Sequence, residues 1–251
     1  MVSLRLLFVL MVGIRCAQAH SNYAIFVVGM GHSGTSAMAG LLHHAGIFIG
    51  KDLIGAGAQN EKGHFEHVQT VNVNELLLAL IGAQWLYSEV EPKKITELQV
   101  DWTQDLVVRT LKHHFGEHQL FALKDPRLCL LLPLYIKAAR ELGYTPKIIT
   151  VSRPLPEIVE SLLRSSTMSY EHAKRISMHY IQHIKRNIQN TDKLIVSYEE
   201  LIDDPMAVVQ RLHHFIPGLV VQPEQQLSIV RFIDKNLKHC TGAPVIQKAA
   251  G

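Results

Sequence analysis

Apolar residues run from 23 to 28 (YAIFVV) and stop at Gly29. A continuous run of β-branched and aromatic residues of that length predicts a strand covered on both faces. Over 34–45, Met38, Leu41, Leu42 and Ala45 recur at helical spacing up to Gly46, which predicts a helix with one buried face. Residues 47–49 predict a short second strand. The stretch 50–66 is glycine-containing and irregular, too long for a plain connection, and therefore functional or mobile. Beyond it the pattern predicts helices over 68–81 and 102–115, a strand over 119–123 and a helix over 128–142 that ends before Gly143. It continues with a strand over 147–151, helices over 154–166 and 170–189, a strand over 193–197 and a helix over 205–215. The Leu128–Leu134 run and the stripe along 170–189 read as core packing. Strands alternating with helices imply right-handed crossovers and an α/β fold of three layers, α/β/α, with a mostly parallel central sheet. No repeat or linker divides it, so 20–251 reads as a single domain.

Composition narrows the partners. The chain has 251 residues, 47% hydrophobic and 19% charged, with a formal charge of only +3. That excludes a disordered or fibrous chain and gives no global field for nucleic acid. Fifteen histidines would make the surface more basic wherever they are protonated, which suits an anionic ligand. Cys16, Cys129 and Cys240 form no Cys-x-x-Cys pair, so neither a disulfide framework nor a zinc ribbon is expected. His114 with His118, and His179 with His183, lie four apart, but no His-Glu-x-x-His accompanies them and no metal site is assigned. At the N-terminus an apolar run over 6–14 lies between Arg5 and Arg15 and precedes Ala17-Gln18-Ala19. Residues 1–19 thus read either as a leader for export or membrane targeting or as an extension without function. The run is too short to span a bilayer, and nothing else indicates membrane association.

The chemistry concentrates between the first strand and the first helix, in Gly29-Met30-Gly31-His32-Ser33-Gly34-Thr35-Ser36. Backbone N–H groups at a helix start lack intrahelical partners, and the helix dipole adds positive potential there. Gly29, Gly31 and Gly34 fit G-x-G-x-x-G. Gly29 to Ser36 also fits a P-loop-like G-x-x-x-x-G-K-[ST], except that Thr35 replaces the lysine. Without that lysine, triphosphate hydrolysis is disfavoured. A smaller anion could still be held by the amides with Ser33, Thr35 and Ser36. Asp52, 18 residues beyond Gly34, could bind ribose hydroxyls, so an NAD(P)-dependent oxidoreductase stays open.

Later segments favour another reading. The loop GMGHSGTSAMAGLL resembles the 5′-phosphosulfate loop of sulfotransferases that use 3′-phosphoadenylyl sulfate, in particular the broad bacterial-type family. In the same order as in that family follow Asn60-Glu61-Lys62-Gly63-His64-Phe65-Glu66, Lys124-Asp125-Pro126-Arg127, Ser152-Arg153-Pro154 with Ser161, and Tyr198-Glu199-Glu200-Leu201 with Asp204-Pro205. The tail Phe232 to His239 resembles the family's C-terminal segment, so the resemblance covers about 23–239.

The resemblance implies that the amides of 31–36 hold the phosphosulfate, with Gly31, His32, Ser33, Gly34, Thr35 and Ser36 as its binding residues. It further implies that Arg153 and Ser161 read the donor's 3′-phosphate. A guanidinium suits that task because its N–H groups pair with two oxygens. Glu66 is the candidate general base and His64 its rival, although a carboxylate there could also serve the start of the next helix. Lys124 or Arg127 would neutralise charge on the sulfuryl or bridging oxygens, while Asp125 and Arg127 could equally form a buried ion pair. One residue departs from the family, which has Lys or Arg where His32 stands. His32 supplies that cation only when protonated, which leaves open a non-catalytic nucleotide-binding member. The acceptor is a small molecule or glycan, its pocket shaped by 50–63 and the helices of 68–115. A donor made in the cytosol places the reaction in the cytoplasm, against export through residues 1–19.

Overall fold

The computed structural model of the chain describes residues 22–57 and 60–234. The leader 1–19, Cys16, Cys240 and the tail segment 235–239 lie outside the described residues. Four strands, β1 (Asn22–Val28), β2 (Leu120–Lys124), β3 (Tyr144–Ser152) and β4 (Lys193–Ser197), form one sheet in the order β2-β1-β3-β4. Every neighbouring pair is parallel. The sheet lies between two helical layers, as the alternation of elements predicts. Because successive side chains of a strand face opposite sides, β1 feeds both cores. Ala24, Phe26 and Val28 join one with Leu111, Tyr135 and Ile176. Ile25 and Val27 join the other with Met38, Leu41, Val208 and Ile229. That is why its sequence is apolar without a break from Ala24 to Val28.

The first core is covered by α2 (Val68–Leu80), α4 (Asp101–Phe115), α5 (Leu128–Glu141), α6 (Leu155–Ser165) and α7 (Tyr170–Asn187). The second is covered by α1 (Thr35–His44), α9 (Pro205–Phe215) and α10 (Pro223–Phe232). Two short helices, α3 (Pro92–Glu97) and α8 (Tyr198–Asp203), and α10 itself were not predicted. They span 6, 6 and 10 residues, where periodicity carries little signal, although proline at the first helical position announces α3 and α10. The strand expected over 47–49 contracts to one residue. Phe48 bridges Phe121 in parallel, and its carbonyl accepts the Ala122 N–H at 2.8 Å. Gly46 and Gly50, at φ +87° and +110°, turn the chain off the sheet on either side of it.

The connections fix where a ligand can bind. β1 leads outward through the helices α1 to α4 to β2 on one side, and β3 leads through α6 and α7 to β4 on the other. The chain therefore diverges at the C-terminal ends of β1 and β3, opening a crevice between the loop after Val28 and the turn after Ser152.

Candidate functional site

The glycine loop fills one wall of that crevice. A Cβ on Gly29 would lie 2.9 Å from the Val151 carbonyl, and one on Gly34, at φ +98°, 2.3 Å from the Tyr198 ring. Only glycine lets the loop pack this closely on β3 and α8. The buried Cys129 thiol donates to the Gly29 carbonyl at 3.1 Å, and burial pushes its pKa up to about 12, so it packs the loop and offers no thiolate. No side chain caps α1 and its first turn holds no acid, which leaves the helix start open to an anion. It faces a cleft of 440 Å³ whose walls include Gly31, His32, Gly34, Thr35 and Ser36. Among the described residues, the non-glycine positions with positive φ are His32, Phe65 and Leu86. All three line this cleft, and strained backbone gathers where function requires it.

Arg153, at the end of β3, reaches across to the loop. Its Nη1 donates to the His32 carbonyl at 3.1 Å and its Nε to Glu157 at 2.9 Å. Its guanidinium lies 4.4 Å from the centre of the Tyr198 ring, a cation–π contact. Its Nη2 is buried without a hydrogen-bond partner, the state of a donor built for something else. Ser161, two turns along α6, bonds His32 Nδ1 at 3.1 Å and also lines the cleft.

On the opposite side Lys124 ends β2. Its ammonium donates to Ser36 Oγ at 3.1 Å, the His64 carbonyl at 3.2 Å and Glu66 Oε1 at 2.5 Å. It thus reaches the loop that lacks a lysine of its own. Glu66 is 7% exposed, and its second oxygen lies 3.7 Å from Arg127. Arg127 also pairs with Asp125 at 2.9 Å and with Glu75. Asp125 accepts the Arg127 backbone N–H at 2.8 Å and an Asn74 amide at 2.9 Å. It is turned into the core, away from the cleft, and acts as the buried partner that orients Arg127.

Most of the predicted site residues converge on the cleft: Gly31, His32, Gly34, Thr35, Ser36, His64, Glu66, Lys124, Arg153 and Ser161 all line it. Ser33 does not. Its hydroxyl is buried without a partner and packs towards Gly29, so the expected hydroxyl donor points into the loop. Asp52 is exposed and outside the cleft, near His67 and His114, which removes the acid that a dinucleotide site needs. The spaced histidines are engaged elsewhere: His118 stacks on Phe48 and His114 lies against His67, while His179 and His183 bond the Val90 backbone. Trp85, Leu86, Tyr198 and Lys62 also line the cleft; Lys62 and Tyr198 stand in family-like segments but were given no role, and Trp85 and Leu86 stand in none. Tyr198 directly follows β4, a strand-end position that the crevice rule marks; Trp85 carries no comparable signal.

His32 lines the cleft as expected but does not carry the expected charge. Burial first, then Arg153 and Lys124, lower its pKa from 6.5 to about 4. In the free protein the imidazole is therefore neutral near pH 7, hydrogen-bonded to Ser161 and, at 3.3 Å, to Ser165. It does not supply the expected cation there. Since the unfolded chain binds this proton more tightly, stability is full above pH 6.5 and falls as the pH drops towards 4. The linkage amounts to about 2.5 kcal/mol at roughly pH 4.5. His32→Gln is expected to lose less stability than wild type, by that amount, between pH 7 and 4.5 in urea denaturation. An equal loss in both proteins would contradict the neutral imidazole.

The family model described as "Sulfotransferase family" matches residues 24–222. Solved structures that resemble the chain include three sulfotransferases. The sulfotransferase domain from the curacin biosynthetic pathway is 16% identical over 80% of this chain and 75% of that one, with a TM-score of 0.47. The sulfotransferase domain of the Synechococcus PCC 7002 olefin synthase is 15% identical over 89% and 90%, with a TM-score of 0.45. Mouse sulfotransferase SULT7A1, complexed with PAP, is 14% identical over 85% and 65%, with a TM-score of 0.44. No curated protein matches the chain. No helix among the described residues is long and apolar enough to cross a membrane.

Proposed function

Since this chain belongs to the sulfotransferase family, we propose that it moves a sulfuryl group from 3′-phosphoadenylyl sulfate to the hydroxyl, or amine, of a small-molecule or glycan acceptor. The observation that carries this reading is Arg153: its guanidinium touches the His32 carbonyl of the anion loop and keeps one buried nitrogen without a partner. A nucleotide with phosphates at both ends suits that span. The uncapped amides at the start of α1 hold the sulfate-bearing end, with the Thr35 and Ser36 hydroxyls, while Arg153 and Ser161 hold the 3′-phosphate.

The acceptor oxygen attacks sulfur in line. A new O–S bond forms, the bond from sulfur to the bridging oxygen breaks, and its electron pair leaves on the 5′-phosphate of adenosine 3′,5′-bisphosphate. Glu66 takes the acceptor proton, with His64 the alternative. Lys124 offsets the charge that grows on the bridging oxygen, in place of the loop cation that a neutral His32 does not provide. Positioning and charge stabilisation carry the rate.

Titration calorimetry tests the reading against its rival. The protein is expected to bind adenosine 3′,5′-bisphosphate and to ignore NAD at the same concentration. Binding of NAD alone would overturn the transferase reading. Bisphosphate binding with no sulfuryl transfer to any acceptor would point to a non-catalytic member of the family.

A further inference from the structure

We propose that His32 makes nucleotide binding in this cleft proton-coupled: while neutral it holds the hydroxyl proton of Ser161 for itself, and once protonated it releases that proton to an incoming phosphate. This rests on the transferase reading above. The hydrogen bonds around the ring fix which nitrogen carries its hydrogen. Ser165 Oγ donates its one proton to the Leu162 carbonyl at 3.0 Å. Towards His32 Nε2, 3.3 Å away, it can therefore only accept. Nε2 bears the hydrogen of the neutral ring, and Nδ1 is left as an acceptor. The group at Nδ1 is the Ser161 hydroxyl, 3.1 Å away, which donates to it. A hydroxyl has no second proton to give. In the free protein, the serine expected to read a phosphate thus has its donor turned towards the loop.

The ring is held where this exchange needs no rearrangement of heavy atoms. Ser161 and Ser165 stand one turn apart on α6 and bracket the imidazole, while Arg153 fixes the His32 carbonyl and the backbone sits at φ +68°. A proton taken from solvent at Nδ1 makes the ring a donor to both serines. Ser161 Oγ then accepts from His32, and its own proton can meet an anion beside the buried Arg153 Nη2. The charges that reach the ring are Arg153 from β3, Lys124 from β2 and His64 from the 60–66 segment. Arg153 is paired with Glu157 of α6, and Lys124 with Glu66. In the free protein, burial and then these cations hold the ring's pKa down at about 4. A phosphate beside Arg153 and Ser161 opposes those cations at close range, and by linkage the proton and the phosphate each favour binding of the other. A lysine or arginine at this position could only donate, at any pH, so the coupling belongs to the histidine.

Titration calorimetry of adenosine 3′,5′-bisphosphate into wild type and His32→Gln, at about pH 7 and about pH 5, tests the coupling. Titration of the nucleotide's own phosphates and of His64 is common to both proteins and cancels in the ratio of their Kd values. That ratio is expected to move roughly tenfold in favour of wild type between about pH 7 and about pH 5, the difference between a neutral and a charge-assisted hydrogen bond. Buffers of different ionisation enthalpy should show wild type taking up close to one proton more than the variant on binding at about pH 5. Nitrogen NMR of ring-labelled histidine needs no variant. It is expected to show His32 neutral with hydrogen on Nε2 in the free protein, and protonated on both nitrogens with bisphosphate bound at about pH 5. A Kd ratio that does not move with pH, or a free ring with hydrogen on Nδ1 alone, would overturn the proposal. If wild type bound no bisphosphate at either pH, the transferase reading would fall instead, and the tautomer of the free protein would still decide the His32–Ser161 bond.

Discussion

Arg153→Ala is expected to weaken binding of adenosine 3′,5′-bisphosphate roughly 100-fold, or about 3 kcal/mol. The side chain is only 6% exposed, so its charge acts in a poorly screened setting. Two of its nitrogens are already fixed, one by Glu157 and one by the His32 carbonyl. The third is therefore pre-aimed, and little side-chain freedom remains to be lost on binding a phosphate. Hydrogen bonds to charged groups contribute roughly 1.5–3 kcal/mol each, and a guanidinium offers two at once. Arg153→Lys keeps the charge but loses the fork, so roughly a tenfold loss is expected. Glu157 is partly exposed, and freeing it should disturb the fold little; a melting curve on each variant checks this. Wild-type affinity in a folded Arg153→Ala would remove the nucleotide from this cleft.

The parts of this site that were legible in the sequence are those set by local rules. A buried strand, three glycines and a helix start are contiguous, so the anion loop can be read off Gly29 to Ser36. Arg153 and Lys124 follow strands, and the ends of parallel strands face one crevice. What could not be read depends on distant packing. Ser33 and Ser36 look alike in sequence, yet one hydroxyl is sealed against Gly29 and the other bonds Lys124. His32 loses its charge because α6 and two cations surround it, a property of the assembled site. Trp85 comes to the cleft on a segment with no periodic pattern, held by histidines some 90 residues later in the chain. Those same histidines looked like a metal pair by spacing alone. The 47–49 strand was overestimated because flanking glycines ended it after one residue.

Under the proposed mechanism, Lys124 and Glu66 each combine a structural and a chemical role, and the two roles separate on double substitution. Lys124→Met leaves the Glu66 carboxylate buried with Arg127 at 3.7 Å as its remaining cation. Stranding one member of a buried ion pair costs about 3–5 kcal/mol. It also removes the cation beside Ser36, for which a loss of about 10²- to 10³-fold in kcat is expected. Glu66→Gln is milder to the fold, because Lys124 keeps Ser36 Oγ and the His64 carbonyl and an amide oxygen can still accept its proton. Turnover should nevertheless fall roughly 10²- to 10⁴-fold, as for loss of a general base, while bisphosphate affinity persists. Combining Lys124→Met with Glu66→Gln removes both charges, so most of the stability lost in Lys124→Met should return while turnover stays low. That non-additive recovery, read from urea midpoints of the four proteins, measures the pair itself. If the double variant stays as unstable as Lys124→Met, the buried pair is not what the fold depends on here. If folded Lys124→Met turns over at the wild-type rate, the charge on the departing oxygen is offset by another group, and Arg127 becomes the residue to test.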